Sequence, residues 1–521
     1  MERKWWTLIA VSVAIFMLLL DITVVNVALP DIQRSLHSSF QDLQWVVNAY
    51  SLTLAAFLLT AGALADRFGR RLVFVTGLVV FTLSSAACGL AGSPLALNLA
   101  RAVQGTGGAM MFATSLALIA GAFHGKERGV AFGVFGGVIG GAVAVGPIVG
   151  GVITSGIGWE WIFFVNVPIG IAAVALTLTQ VSESRDPNAH GVDWLGLLTF
   201  SGSLFLLVFA LIEGNEKGWG STRIVSFLVG SLVLIVLFVI VERRQQRPML
   251  DLTLFQKPAF AGASIVAFAI SSSMFAMFLY LTLYIQDVLG FSPLQAGLRF
   301  LPITLLSFFV APLAGRLSVR VPVRLLLGTG LILVSAGLLT MTAVDAGSTW
   351  TVLVPGFVLA GAGVGLINPP LASTAVGVVH HSRSGMASGI NNTFRQVGIA
   401  TGIAGLGAVF QHDVTHNTTS ALASAPGREV LRAAHGKLNT ALVSGEVDQV
   451  ARALPKPARD ALMHAYRVGF TQAFSSILLI GACVALVGSV FAFALVRSRD
   501  FVASAEAEQP AQPEPAAAPA S

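Results

Sequence analysis

Charge is what this sequence has least of. Only 11% of its 521 residues are Asp, Glu, Lys or Arg, while 55% are hydrophobic and mean hydropathy is +0.80; soluble domains carry about 25% charged residues. The 31 Lys and Arg and 25 Asp and Glu cannot coat the several soluble domains that a chain of this length would form. That scarcity excludes an aqueous enzyme, a nucleic-acid-binding protein and a disordered scaffold. The net charge of +6 sits in short clusters between apolar runs, so it marks no basic nucleic-acid face. Cysteine is scarce too: Cys88 and Cys483 both lie inside apolar runs, which implies no disulfide framework. There is no P-loop, which excludes direct drive by ATP. No Ser/His/Asp set or HExxH motif occurs, and no metal-ligand cluster forms around His124, His380 or His381. No enzymatic activity, cofactor or metal is expected.

Long apolar runs take the place of charge. A helix crossing the hydrocarbon core needs roughly 20 mainly apolar residues. Fourteen segments qualify: 5–29, 43–64, 72–91, 95–121, 129–154, 162–181, 192–213, 222–241, 259–286, 293–315, 323–344, 350–372, 385–410 and 468–496. The runs are continuous rather than alternating, which excludes a strand barrel. The first run follows Arg3 and Lys4 but is too long for a signal-peptide core, so it reads as a retained helix. With the N-terminus inside, eighteen Lys or Arg fall on the inner side, and the short outer loops hold only Arg34, Lys217 and Arg223. By the positive-inside rule both termini are cytoplasmic. The fold expected is an all-α polytopic membrane protein in a cell membrane.

Self-comparison adds internal order. Gly62–Gly77 aligns with Gly315–Gly330 at an offset of 253, with seven of sixteen positions identical. At an offset of 256, Gly105 and Gly107 meet Gly361 and Gly363, and Gly129, Ala131 and Gly133 meet Gly385, Ala387 and Gly389. Two parallel six-helix repeats make the architecture of a rocking transporter. The expected division is a six-helix bundle over 1–185, two inserted helices over 186–250, and a second bundle over 251–500. That second bundle carries a long outer loop, 411–467, in which Arg428–Leu442 and Ala458–Tyr466 are candidate surface helices. Residues 501–521, rich in Ala, Pro, Glu and Gln, are expected to be a disordered tail.

Several motifs carry candidate chemistry. The basic loop reads Gly62-Ala-Leu-Ala-Asp66-Arg67-Phe-Gly69-Arg70-Arg71. Gly69 permits a tight turn, and Asp66 is an acid able to pair with the arginines or with a neighbouring helix N-terminus. Such a cluster is a breakable latch, or else a simple topogenic charge cluster. The fifth segment carries Gly133, Gly137 and Gly141 at four-residue spacing, then Gly146-Pro147-Ile-Val-Gly150-Gly151. Such glycines let another backbone approach and Pro147 kinks the helix, which suits tight packing and equally a helix that slides or bends.

Ionisable groups within the spans are the sharpest signal, each costing roughly 3 kcal/mol or more at mid-bilayer. Asp21 is the one acid well inside a span, and the bases are Arg101, Arg299 and Arg395. Asp21 and Arg101 lie at similar depth, so a pair is geometrically allowed. It either alternates with a protonated state, coupling proton movement to transport, or statically ties two helices together. Gln104 shares a face with Arg101; Asn391 and Asn392 share faces with Arg395 and Gln396 at i, i+4. This polar stripe lines a cavity or acts as interhelical glue. Met274, Phe275, Phe278 and Tyr280 line an aromatic cavity or pack towards lipid.

These motifs resemble the major facilitator superfamily, and within it the fourteen-helix drug–proton antiporters. Leu20-Asp21-Ile-Thr23-Val-Val-Asn26-Val-Ala28-Leu29-Pro30 is similar to that family's first-span signature, and Gly62–Arg71 to the superfamily's loop motif. Asn98-Leu-Ala-Arg101-Ala-Val-Gln104-Gly105 resembles the fourth-span motif, and Gly146–Gly151 the antiporter motif of the fifth. The resemblance implies proton-driven efflux of a small hydrophobic drug or antibiotic by alternating access, with Asp21 and Arg101 in coupling. On this reading Asn26, Gln104, Tyr280, Asn391, Asn392, Arg395 and Gln396 line the substrate cavity, and the protein is a monomer in the bilayer. One departure stands out: Trp159-Glu160-Trp161 replaces the family's usual Trp-Arg-Trp. A narrow-specificity metabolite exporter or importer is the alternative on the same scaffold. A non-transporting membrane sensor is a third reading, against which stands the lack of a signalling domain.

Overall fold

The computed structural model describes every residue except 1, 124, 186–192, 246–247, 249, 319, 380–383, 423–441, 443–446, 498–499 and 502–521. Among the described residues the regular structure is entirely helical. The first group comprises α1 (Arg3–Leu36), α2 (Phe40–Phe68), α3 (Arg70–Gly89), α4 (Pro94–Ala122), α5 (Gly125–Gly156), α6 (Trp161–Phe164) and α7 (Asn166–Gln180). A pair follows, α8 (Trp194–Lys217) and α9 (Thr222–Arg244). Next come α10 (Pro258–Ile270) and α11 (Ala276–Leu283), made continuous by π-helical turns at Ser271–Phe275 and Tyr284–Val288. The remainder is α12 (Pro293–Arg299), α13 (Leu301–Leu317), α14 (Val323–Met341), α15 (Val354–Gly377), α16 (Ser384–Leu422), α17 (Val447–Arg452) and α18 (Lys456–Leu495).

Local sequence sets the boundaries. Ser39 and Asp42 form a reciprocal capping box at the start of α2, and Ser292 with Gln295 repeats it at α12. Ser93 followed by Pro94 opens α4, a cap followed by a residue whose missing N–H costs nothing there.

Among the described residues, twelve helices are long and apolar enough to cross a membrane, or thirteen when the pair α12 and α13, bent by 40°, counts as one span. The helix holding segment 385–410 is not among them, because Asn391, Asn392, Arg395 and Gln396 lower its hydropathy. The expected count of fourteen is therefore not reached on length and composition. The long outer loop is also shorter than expected: α16 runs on to Leu422, and α18 begins at Lys456. Ala458–Tyr466 is thus the first part of α18 rather than a separate surface helix. It packs with α17 through Val447, Ala451, Leu462 and Ala465. Arg428–Leu442, apart from Leu442 itself, and the tail from 502 lie outside the described residues.

The repeat has a geometric counterpart. A Cβ added to Gly107 would lie 2.8 Å from the Gly77 carbonyl, and one added to Gly330 would lie 3.0 Å from the Gly363 carbonyl. Gly105 abuts the backbone of Tyr50, and Gly361 abuts that of Ile303, 2.6 Å from its carbonyl. Tyr50 and Ile303 are themselves 253 residues apart, the offset of the basic loops. Hence α4 meets α2 and α3 by the backbone contacts through which α15 meets α13 and α14. Helices α8 and α9 are tied by Ser203 donating to the Ser231 carbonyl at 2.8 Å, and α8 lies against both α2 and α16.

Candidate functional site

In the core of the first helices, four helices bring polar side chains to one point. Asp21 (α1) and Arg101 (α4) form an ion pair at 2.5 Å with side chains 0% and 2% exposed. Gln104 closes a triangle: its amide donates to Asp21 Oδ1 at 2.9 Å, and its carbonyl accepts from Arg101 Nη1 at 2.7 Å. Asn166, the first residue of α7, donates to the same Asp21 oxygen at 3.1 Å and to Ser85 Oγ of α3 at 3.0 Å. Ser85 in turn donates to the Phe163 carbonyl at 2.9 Å, beside the break between α6 and α7. Arg101 Nε donates to the Val46 carbonyl at 3.1 Å, and its guanidinium lies 4.3 Å from the centre of the Tyr50 ring. Cys88 Sγ is 3.6 Å from Gln104 Oε1.

Sequence and structure thus agree in bringing Asp21 and Arg101 together. They differ on Gln104, expected at a cavity and found fully enclosed between the charges. Asn166, Ser85 and Tyr50 were not anticipated. The available signal was Asn166, an amide inside the apolar segment 162–181, whose other amide, Gln180, stands at the segment's end. Chemically the site is an acid held by one cation and two amide donors, each able to reorganise when the acid takes a proton.

The antiporter-type glycines lie beside this site. A Cβ on Gly146 would overlap the Thr23 side chain, and one on Gly150 would come within 3.0 Å of the Val24 backbone, so α5 rides directly on α1 next to Asp21. Gly151 faces the other way and meets Leu294 of α12 at 2.7 Å, while Pro147 presents its carbonyl to Gly297. Gly137 and Gly141, by contrast, face open space. Among the described glycines the close-approach seam therefore runs over Gly146–Gly151, not along Gly137 and Gly141.

The remaining candidates separate. Tyr280 is enclosed rather than open to a cavity: its hydroxyl donates to the Ile403 carbonyl at 2.6 Å, and Gln44 Nε2 donates to that carbonyl at 3.2 Å. Its ring packs against Phe410 at 5.3 Å, and Met274 is likewise fully buried. Asn391 donates to the Ala263 carbonyl at 3.4 Å and joins α16 to α10. Asn26 and Asn392, half-buried, bond to Ile22 and Ser388 of their own helices. Arg395 and Gln396 are half-buried in α16, and Arg395 donates to Asn368 Oδ1 at 2.7 Å. Arg299, expected inside a span, ends the short α12, where its guanidinium lies 3.4 Å from the Phe291 ring centre and 5.1 Å from that of Trp350. The chain bends by 40° between α12 and α13, immediately after it.

The basic loop is organised differently from a simple acid–arginine latch. Asp66 pairs with Arg70 at 2.9 Å within its own turn. The N-terminus of α3 is capped instead by Glu183, which accepts from the Arg71 and Leu72 amides at 2.9 and 3.1 Å. Gly69 (φ 121°) is required twice over, since a Cβ there would also strike the Glu183 carboxylate. Arg67 lies against Phe68, and Gly62 has no close neighbour.

Among the described residues, the hydrogen bonds between helices α1–α7 and α10–α18 cluster where the charge asymmetry assigns the outside. They are Gln44 to Tyr280 and Ile403, Gln286 to the Val27 carbonyl at 2.7 Å, and the Leu294 amide to Ser155 at 3.0 Å. The molecule is closed at that end.

Residues 11–403 match the family model described as Major Facilitator Superfamily. Multidrug resistance protein Stp of Mycobacterium tuberculosis is 41% identical over 404 residues, 77% of this chain and 75% of Stp. The tetracenomycin C resistance and export protein of Streptomyces glaucescens is 34% identical, with 78% of this chain and 76% of that protein covered. Puromycin resistance protein pur8 of Streptomyces alboniger is 35% identical, with 78% and 82% covered. Among solved structures, an inward-facing, unoccupied bacterial homologue of the human lysosomal transporter Spinster superposes with a TM-score of 0.62. It is 18% identical, with 96% of this chain and 98% of that one covered, a likeness of fold. With its helical spans, its paired glycine contacts and these matches, the chain is a multi-pass membrane protein that belongs to the Major Facilitator Superfamily.

Proposed function

We propose that the chain exports hydrophobic drugs or antibiotics across the cytoplasmic membrane in exchange for protons, by alternating access. The observation that carries this reading is the enclosed Asp21–Arg101–Gln104–Asn166 network. The names of the relatives, multidrug and antibiotic resistance proteins, support the substrate class. In the form closed outside, Asp21 is ionised and held by Arg101. Opening outside exposes Asp21 to the external proton pool; protonation cancels its charge and releases Arg101 and the two amides. Because Asp21 lies beside Thr23 and Val24, which contact Gly146 and Gly150, the exchange of partners reaches α5 directly. Closing outside again lets the proton leave inward as substrate is loaded.

The architecture proposed with it is a bundle over 1–185, an inserted pair over 186–250 and a second bundle over 251–500. Segment 385–410 crosses as the fourteenth span, both termini are cytoplasmic, and the unit is a monomer without cofactor. The test is Asp21→Asn in proteoliposomes. It should abolish efflux driven by a pH gradient and substrate-driven proton movement while the purified protein still folds, with a lowered thermal melt because Arg101 loses its partner. Undiminished pH-driven efflux by this variant refutes the coupling role.

A further inference from the structure

Arg395 is the one cation at mid-span that the coupling network leaves unused. It lies about 16 Å along α16 from Ser384 at 1.5 Å per residue, and among the described residues no Asp or Glu comes within ion-pairing distance of it. A guanidinium carries five N–H donors, and the one hydrogen bond described for Arg395 is that to Asn368 Oδ1. Its other companion is the Phe275 ring, 5.7 Å away. Asp21 and Arg101 cancel, whereas the positive charge of Arg395 has no such counterpart among the described residues.

Three further observations mark this as a place for a ligand. Arg395, Asn368 and Phe275 come from three different helical segments and are all half-buried, although Ser271, Ile390 and Ala400 around them are enclosed. They face a shared space, and lipid is not a tenable environment for a guanidinium. Phe275 ends a π-helical turn, a local irregularity frequent at functional sites. Gly402 holds that turn against α16, a would-be Cβ lying 2.6 Å from the Ser272 carbonyl, and Gly398 meets the Phe268 carbonyl just before the turn at 2.7 Å and Ser271 Cβ at 3.0 Å. Finally, Ser271 Oγ and Gln396 Oε1 are buried without hydrogen-bond partners, so the neighbourhood holds polar capacity that the protein itself does not satisfy.

We infer that Arg395, Asn368 and Phe275 form a receiving site for an acidic group, a carboxylate or phenolate, on the transported compound. The guanidinium takes the anionic oxygens, Asn368 fixes its plane, and Phe275 offers a face to the attached ring. The inference rests on the reading of the chain as an exporter and names the chemistry of what it carries.

The probes are carboxyfluorescein (anionic) and ethidium (cationic), with binding to the purified full chain followed by fluorescence anisotropy. Arg395→Gln should weaken carboxyfluorescein binding about tenfold or more, the scale of one hydrogen bond between charged groups, and leave ethidium within about twofold. Arg395→Lys should recover part of the loss. Asn368→Asp, which supplies an internal carboxylate beside Arg395, should also weaken carboxyfluorescein binding; because it leaves Arg395 in place, it decides the matter if Arg395→Gln fails to fold. Wild-type-like carboxyfluorescein binding by Arg395→Gln or by Asn368→Asp overturns the site. Absent carboxyfluorescein binding by the wild type does so too, even where proteoliposomes still export ethidium and the exporter reading survives. If the wild type exports neither dye but binds carboxyfluorescein through Arg395, the site stands and the exporter reading falls.

Discussion

Replacing Arg101 with Met tests whether the buried pair is a charge balance or a packing element. Met keeps much of the length and apolar stem but removes the bonds to Asp21, Gln104 and the Val46 carbonyl and the contact with Tyr50. Asp21 would be left ionised and enclosed, with only the amides of Gln104 and Asn166 donating to it. Breaking one side of a buried pair costs about 3–5 kcal/mol, whereas replacing both partners is often close to neutral. The double variant Asp21→Asn/Arg101→Met should therefore recover about 2 kcal/mol or more of what Arg101→Met loses. The assay is equilibrium unfolding in mixed micelles, run as a double-mutant cycle. Single-variant losses that add to within about 0.5 kcal/mol would refute the account.

Two further outcomes follow from packing. Gly146→Ala must displace Thr23 and should cost about 1–3 kcal/mol with loss of efflux, while Gly137→Ala enters open space and should be close to neutral in melting temperature and transport; equal effects would remove the distinction between the two parts of α5. Tyr280→Phe deletes the bond to Ile403 at the closed end, worth about 1 kcal/mol, and should move the population roughly fivefold towards opening there. Spin labels at Arg34 and His412 report that end, and an unchanged distance distribution would contradict its role in closure.

What the sequence could reveal divides by the range of the interactions. Hydropathy is local and additive, so each apolar segment became a helix, and Asp21 and Arg101 were paired from depth alone. Contacts that depend on helix rotation were out of reach. Gln104 and Arg395 both read as polar residues on a helix face, yet one is locked into an ion pair and the other is not. Glu183 lies more than a hundred residues from the α3 amides it caps, and nothing in its neighbours announces that partnership. The bend between α12 and α13 was equally out of reach, and it leaves Arg299 half-buried at the end of α12 against Phe291. Segment 385–410 is the converse case: its polar residues make it a poor membrane helix by composition, and one of them, Arg395, is proposed to meet the substrate.

The paired glycine contacts, Gly77 with Gly107 and Gly330 with Gly363, bear on how the molecule deforms. Where two helices touch backbone to backbone, no side chain stands between them to change rotamer, so such a joint is stiff. Each set of helices α2–α4 and α13–α15 is welded in this way, and between the halves α5 meets α12 by a similar backbone approach at Gly151 and Gly297, while α2 meets α11 and α16 through the hydrogen bonds of Gln44 and the ring of Phe40. Stiff sets of this kind move as units, so a rearrangement proposed at Asp21 would be passed to neighbouring helices instead of being absorbed within either set.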